Sequence, residues 1–398
     1  MPVINSIADR KDEIAAWRQE LHRNAQTKYE EVYAGDLIAK KLEEWGIPHT
    51  RGFAKTGIVA TIEGQKTDSG KAIALRADMD ALDIQERTGL PYASCNEGKM
   101  HACGHDGHMA SLLGATKYLN ETKNFNGKVH LIFQPAEEGG SGADKMIEEG
   151  LFKKFPCNYV FGFHNWPTLP VGTINMRVGG IMASVDEFEI IVKGKGGHAA
   201  MPENTIDPIV IASQIVIALQ TIVSRTVSPI DTAVVSVTNM NAGTGAFNVI
   251  PGSARLHGTV RTFSNDVRHK IKERMESIVG NISKAFDSTI EIDYIFQTEP
   301  TVNTADGIAI AAKAAALVVG EKNVDTNCLP TMGGEDFGAF LIEKPGAFVF
   351  IGQGVANDPH CHSSMGLHHP NYDFNDEILP IGSSYFAALA ETYMPLET

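Results

Sequence analysis

His101-Ala102-Cys103-Gly104-His105-Asp106-Gly107-His108 packs three histidines, a thiol and a carboxylate into eight residues, and Met109, Leu112, Leu113 and Ala115 follow at helical spacing. The pattern predicts a tight glycine-containing turn that opens a helix, with Cys103 and His105 converging on one point. A thiolate beside an imidazole suits a borderline metal such as zinc, and cysteine ligates only as the thiolate. A helix N-terminus and a bound cation both favour that anion. Read alone, the same residues could equally be a buried structural cysteine with histidines that cap the helix. The chain on either side separates the two readings.

Upstream, 6–24 (Ile7, Ile14, Trp17, Leu21) and 34–46 read as amphipathic helices. Strands are predicted at 57–63 and 72–76, with Asp78-Met79-Asp80-Ala81-Leu82 at a strand end. The central helix covers about 106–120. Beyond it an apolar strand, 128–133, runs into Gln134-Pro135-Ala136-Glu137-Glu138-Gly139-Gly140, and another, 159–163, leads to His164-Asn165-Trp166-Pro167. Strands alternating with helices predict an α/β domain with a largely parallel or mixed sheet flanked by helices. Such sheets place ligands at the carboxyl ends of their strands. Asp78 and Asp80, Glu137 and Glu138, and His164 each end an apolar strand, so three strands deliver polar groups to one edge.

From about 185 the rhythm changes. A strand at 185–193 leads to the flexible turn Gly194-Lys195-Gly196-Gly197-His198, and Asp207-Pro208 opens a helix running to about Arg225. Strands at 232–239 and 253–262, a helix at 265–286 and a strand at 289–296 complete a β-α-β-β-α-β series, the order of the ferredoxin-like split βαβ. The α/β pattern resumes after about 300 with a helix at 305–319, a glycine loop at Met332-Gly333-Gly334-Glu335-Asp336-Phe337, a strand at 347–352 and a closing helix at 376–393. The predicted organisation is a discontinuous metal-binding catalytic domain, 1–184 and 298–398, interrupted by an inserted ferredoxin-like α+β domain, 185–297.

A chain of 398 residues exceeds what one core usually serves, and its 43% hydrophobic content is that of a globular protein. A formal charge of −14 argues against nucleic acid and anionic membrane surfaces as partners. No apolar run reaches membrane-spanning length, and the polar stretch Met1 to Arg18 does not read as a signal peptide. Five scattered cysteines without a disulfide rhythm suit a reducing cytoplasm, in which Cys103 stays free.

Cys103, His105, Glu138, His164 and one histidine of the C-terminal loop make a five-donor set, enough with a bridging ligand for two divalent ions. Paired metals can polarise a carbonyl and activate a bridging water. Of two adjacent carboxylates in a strand-end turn, one can bind metal while its neighbour carries a proton. The alternative for Glu137-Glu138 is a solvated acidic turn; the apolar strand and proline before it and the glycines after it argue for the site.

The wider pattern includes Leu75-Arg76-Ala77-Asp78-Met79-Asp80-Ala81-Leu82, Phe133-Gln134-Pro135-Ala136-Glu137-Glu138-Gly139 and Gly196-Gly197-His198-Ala199-Ala200-Met201-Pro202. Phe247-Asn248-Val249-Ile250-Pro251, Glu335-Asp336-Phe337 and Leu367-His368-His369-Pro370-Asn371-Tyr372-Asp373-Phe374 continue it. With Met100 to His108, these motifs resemble, nearly end to end, the aminoacylase/hippurate-hydrolase/carboxypeptidase family of dinuclear metallo-amidohydrolases, in its cysteine-containing branch. The resemblance implies metal ligands Cys103, His105, Glu138, His164 and His368, the last preferred to His369 because the family's ligand follows the leucine. It implies two divalent ions per subunit, drawn from zinc, manganese, cobalt or nickel, and Glu137 as general acid/base. His198 would act in catalysis, Asn248 and Arg261 in substrate binding, and the inserted domain would form a homodimer. His101, His108, Asp80 and Asp106 are expected to orient ligands, and His360 and His362 to be polar loop residues.

The implied activity is hydrolysis of the amide bond of N-acyl amino acids by metal-activated water, with hippurate-like compounds first. A dipeptidase, a carboxypeptidase or an N-acetyl-diaminopimelate deacetylase would use the same catalytic residues. A non-catalytic metal-binding relative would be expected to lack Glu137 or a ligand, and none is missing. The chain departs from the family twice: Ala25-Gln26-Thr27 follows Leu21-His22-Arg23-Asn24 where Pro-Glu-Leu is usual, and Asp83 stands where a proline is favoured. Both bear on substrate preference rather than on mechanism.

Overall fold

The run 72–78 is buried along its whole length, as a central strand covered on both faces must be. The computed structural model describes residues 3–355, 358 and 361–396; His360 lies outside them. Two compact units are formed, Met1–Ile181 with Val302–Leu329 and Asp336–Thr398, and Met182–Thr301 with Pro330–Glu335.

The first unit is built on an eight-stranded mixed sheet. Its first five strands in the chain are β1 (His49–Phe53), β2 (Gly57–Glu63), β3 (Ala72–Asp78), β4 (Lys128–Gln134) and β5 (Tyr159–Pro170). The spatial order is β1-β2-β4-β3-β5, then Gly346–Gly354, Ile174–Asn175 and Val324–Asp325. β4, β3, β5 and Gly346–Gly354 run parallel, while β1 and β2 join antiparallel at one edge. Asp78 pairs with Gln134, and Arg76 pairs with Gly162 two residues before His164. That register brings Asp78, the start of the Glu137 turn and His164 to one end of the sheet. One expectation is corrected here: His164 does not end its strand. β5 continues to Pro170 because Gly346–Gly354 runs alongside it, with Gly352 opposite Trp166 and Gly354 opposite Pro170.

The central helix, His105–Thr122, is buried on nearly every side through its first turns, since Lys11–Arg23 and Leu379–Tyr393 both pack on it. Gly107 permits this: a Cβ there would lie 2.2 Å from the Phe374 ring. Leu75, Leu112, Phe133, Val349 and Ile381 belong to the continuous core that results. The helix expected over 6–24 is two, Asn5–Ala8 and Lys11–Arg23, separated where Arg10 leaves helical geometry. The closing helix likewise begins as a 3₁₀ turn, Asp376–Ile378, ahead of Leu379–Tyr393.

The second unit contains a four-stranded antiparallel sheet in the order Ala233–Ala242, Ser253–Thr262, Val185–Lys193, Thr289–Thr298. With helices Pro208–Thr221 and Asn265–Ala285 this is the ferredoxin-like arrangement. Phe188, Ile190 and Val192 alternate inward against Ile211, Ile215, Ile271 and Met275. Asp207 caps the first helix by accepting from the Ile209 N–H at 2.9 Å, and Pro208 follows at the first helical position. The first helix ends in a π-helical turn, Ile222–Thr226. The expectation that no apolar stretch reaches spanning length is amended: Pro208–Thr226 is long and apolar enough by length and composition. Its inner face packs on the sheet while Ile209, Val210, Ile217 and Val223 are exposed.

Candidate metal centre

Gly104 enters the central helix with φ 94°, and a Cβ there would lie 2.4 Å from Asn165 Oδ1 and 2.7 Å from the Tyr372 hydroxyl. Only glycine fits, and it turns Cys103 and His105 toward the strand ends. Cys103 Sγ lies 3.3 Å from His164 Nε2. The other nitrogen of His164, Nδ1, donates to the Asn165 carbonyl at 2.8 Å, which leaves Nε2 as the donor atom facing the thiol. His105 is oriented in the same way: Nδ1 donates to the Asp80 carbonyl at 2.8 Å, so Nε2 is free to bind.

The opposing wall is the turn after β4. Ala136 takes a left-handed conformation (φ 56°), and Glu137 and Glu138 follow it. The Glu138 N–H donates to Asp80 Oδ2 at 2.9 Å, and Glu138 Oε1 lies 3.1 Å from His368 Nε2. His368 is itself left-handed (φ 64°) and its N–H donates to the Ala102 carbonyl at 2.8 Å. The neighbouring His369 turns back, its Nδ1 accepting from the Asn371 N–H at 3.1 Å. Ligand atoms within 4.8 Å of one another form the groups Cys103–His105–His164, Cys103–Glu138–His368 and His105–Glu137–Glu138. The structure thus brings Cys103, His105, Glu137, Glu138, His164 and His368 together.

The electrostatics of the cluster fit a cation. Burial alone would lower the His105 pKa, yet Asp78, Asp80 and Glu138 outweigh it and push it up to about 10. Burial followed by Glu138 and Glu137 holds the Cys103 thiol well above its usual range. Burial keeps His164 neutral, the form that ligates. His105 Nε2 is buried without hydrogen-bond geometry to any described partner. An unsatisfied buried polar atom costs roughly 1–3 kcal/mol. Thiolate, imidazole and carboxylate donors around such an atom match a borderline divalent ion such as zinc, cobalt or nickel.

Several supporting groups had no assigned task in the sequence. Asp78 bonds His108 Nδ1 at 2.6 Å and lies 3.6 Å from His105 Nε2, while Arg76 holds its other side at 2.7 Å. Its place at a strand end was visible, but not its grip on two histidines. Glu31 is fully buried and accepts from the Tyr29 N–H (2.9 Å), the Ala136 N–H (2.9 Å) and the Thr56 hydroxyl (2.6 Å). It anchors the Ala136 turn, and none of the sequence motifs includes it. His108 and Asp106 are buried: His108 bonds Asn165, and Asp106 bonds His22. His101 is buried too, with Nδ1 unbonded to any described group, and His362 Nδ1 bonds the Asn371 carbonyl.

His198, Asn248 and Arg261 belong to the second unit. His198 is exposed on the short strand Gly197–His198, and its Nδ1 accepts from the Ala200 N–H at 3.1 Å. The Asn248 carbonyl accepts from the Ala199 N–H at 3.0 Å, so these two residues are neighbours. Arg261 is half-buried and is held by the Thr259 hydroxyl and the Val260 carbonyl.

Residues 74–392 match the family described as Peptidase family M20/M25/M40. The chain is 43% identical to a hippurate hydrolase of Campylobacter jejuni over 99% of its own length and 100% of that protein's. It is 42% identical to an N-acetylcysteine deacetylase of Bacillus subtilis, covering 94% of each. Among solved structures, a dinuclear metal-binding peptidase of the M20 family from Bacillus subtilis superposes with a TM-score of 0.83 at 36% identity, over 97% of this chain and 99% of that one.

Proposed function

From the premise that this chain belongs to the peptidase family M20/M25/M40, we propose that it is a metal-dependent amidohydrolase of N-acyl amino acids, with hippurate-like compounds as its first substrates. The observation that carries the reading is Glu137, whose carboxylate falls in one group with His105 and Glu138. A group able to hold a proton stands beside groups able to hold metal. Cys103, His105, Glu138, His164 and His368 would bind two divalent ions, their ligand atoms falling in groups within 4.8 Å of one another. Zinc, manganese, cobalt and nickel are the candidates. The ions supply Lewis acidity toward the amide carbonyl and the attacking water. Glu137 takes a proton from that water onto a carboxylate oxygen and returns it to the amide nitrogen as the C–N bond breaks. Asp80 orients the pair of opposing walls, through its carbonyl to His105 and its carboxylate to the Glu138 N–H.

Catalytic help from His198 and substrate contacts by Asn248 and Arg261 rest on the sequence resemblance. A homodimer through the second unit is supported by the exposed apolar residues of its first helix. Five free cysteines support a reducing, cytoplasmic setting. The test is a panel of benzoyl-, acetyl- and aminoacyl-glycines, assayed with added Zn²⁺, Mn²⁺, Co²⁺ or Ni²⁺ and compared by kcat/KM. Benzoyl- or acetylglycine should lead the panel. Aminoacylglycines leading it would replace the reading by that of a dipeptidase.

A further inference from the structure

Four of the eight described non-glycine residues with left-handed φ stand at one wall of the metal centre. Ala136 (φ 56°) and Ser141 (φ 52°) bracket the turn Glu137–Gly140, and His368 (φ 64°) meets Glu138. The fourth, Tyr29 (φ 64°), reaches the turn from a segment distant in sequence. Backbone strain of this kind persists only where the surroundings over-determine it. For Tyr29 those surroundings are the turn itself. Glu31 Oε1 accepts from the Tyr29 N–H and from the Ala136 N–H, both at 2.9 Å, so one carboxylate oxygen joins two left-handed residues. The Tyr29 hydroxyl donates to the Gly140 carbonyl at 2.5 Å. Its ring closes on the same residue: a Cβ on Gly140 would lie 3.3 Å from Tyr29 Cε2 and 2.6 Å from the Ala136 Cβ. Lys28 adds a longer bond, from Nζ to the Gly139 carbonyl at 3.3 Å.

Segment 28–31 therefore holds the turn on both sides of Glu137. Its two outer contacts differ in strength. Lys28 is exposed, and a flexible ammonium on a surface fixes little. Tyr29 is half-buried, its side chain has only two torsions to order, and the Lys55 ammonium lies 4.6 Å from its ring centroid. Glu138 has its own anchor, the bond from its N–H to Asp80 Oδ2. We propose that Tyr29 is a positioning residue for Glu137: its hydroxyl fixes the far end of the turn and so keeps the Glu137 carboxylate in its group with His105 and Glu138. The inference rests on the reading of Glu137 as the group that carries the proton. Tyr29 acts through the turn and not on the substrate, and a carboxylate displaced by a fraction of an ångström loses rate rather than affinity.

The test is Tyr29→Phe, which keeps the ring against Gly140 and Lys55 and removes the hydroxyl. The metal-loaded chain is assayed on the N-acyl glycine that the wild type hydrolyses best. In the variant kcat should fall at least about ten-fold while KM stays within about two-fold, with metal content unchanged by elemental analysis. Hydrogen exchange of the amides of 136–143 should quicken about three- to ten-fold, as loss of one hydrogen bond implies. In the Glu137→Gln background the same change should leave the residual kcat within about two-fold, because a residue acting through Glu137 has nothing further to lose there. Wild-type turnover with kcat or exchange unchanged in Tyr29→Phe would overturn the positioning role and leave the amidohydrolase reading standing. So would metal loss in the variant, which would place the effect at Glu138, or an equal fall of kcat in both backgrounds, the mark of a general loosening. A wild type that hydrolyses none of the benzoyl-, acetyl- and aminoacyl-glycines would overturn the amidohydrolase reading itself, and this inference with it.

Discussion

Glu137 and Glu138 follow one another in a turn that Ala136 enters left-handed, and the turn sets them to different tasks. Glu138 meets His368 and is pinned through its N–H to Asp80, so Glu138→Gln should weaken metal binding. Glu137→Gln should keep the metals and the fold while kcat falls by about 10²–10⁴. Equal metal loss in the two variants, measured by elemental analysis, would show the pair misassigned. Cys103 belongs to two of the donor groups, so Cys103→Ala should lose metal content together with activity; full occupancy in that variant would end its role as a ligand. Glu31 touches none of these atoms but accepts from the Ala136 N–H just before them. Glu31→Ala leaves three donors without their acceptor, and each buried one costs roughly 1–3 kcal/mol. Lower thermal stability and at least about a ten-fold loss in kcat are expected with metal content retained. An unchanged kcat would mean that the turn holds its shape without Glu31.

At the scale of elements, the helix Lys11–Arg23 is locked to the central helix by a buried ionic network. His22 Nδ1 bonds Asp106 at 2.9 Å, and Arg18 pairs with Asp373 at 2.9 Å and Asp376 at 2.8 Å. Burial would lower the His22 pKa, but the bonds to Asp106 and Glu86 outweigh it and raise it from 6.5 to about 9. The folded value therefore lies above the unfolded one. The stabilisation is complete below about pH 6.5 and is lost as pH rises toward 9. Its upper size is roughly 3 kcal/mol. Thermal unfolding followed across that window should show Tm falling with pH in the wild type and a shallower slope in His22→Gln. Parallel slopes would remove His22 from the linkage. The sequence made both helices legible through their apolar spacing, yet nothing in the spacing indicated that a histidine, an arginine and several carboxylates would share the interior between them.

For the whole molecule, the helix of the second unit that exposes Val210 (48%) and Ile217 (64%) decides assembly in the proposed homodimer. Val210→Glu/Ile217→Glu places charge on that face and leaves Ile211, Ile215 and Leu219 in their core. Sedimentation should show a dimer in the wild type and a monomer in the variant. A monomeric wild type, or a dimer that survives the change, would move the interface elsewhere.

By itself the sequence determined the two patterns of alternation and the chemistry of the donors. Hydrophobic period and turn residues are local properties, so the strands 57–63, 185–193 and 253–262 and the helix 305–319 could be read with their bounds. Cys103, His105, Glu137 and Glu138 sit in short motifs whose residue types already limit what they can do. Only the tertiary structure decided which way β5 runs past His164, because a partner strand distant in sequence extends it. It alone turned His368 to Glu138 and His369 away, through backbone angles that no residue type dictates. It also took Glu31 into the interior beneath the Ala136 turn. Those outcomes depend on desolvation and on long-range packing, and both arise only when segments far apart in the chain meet.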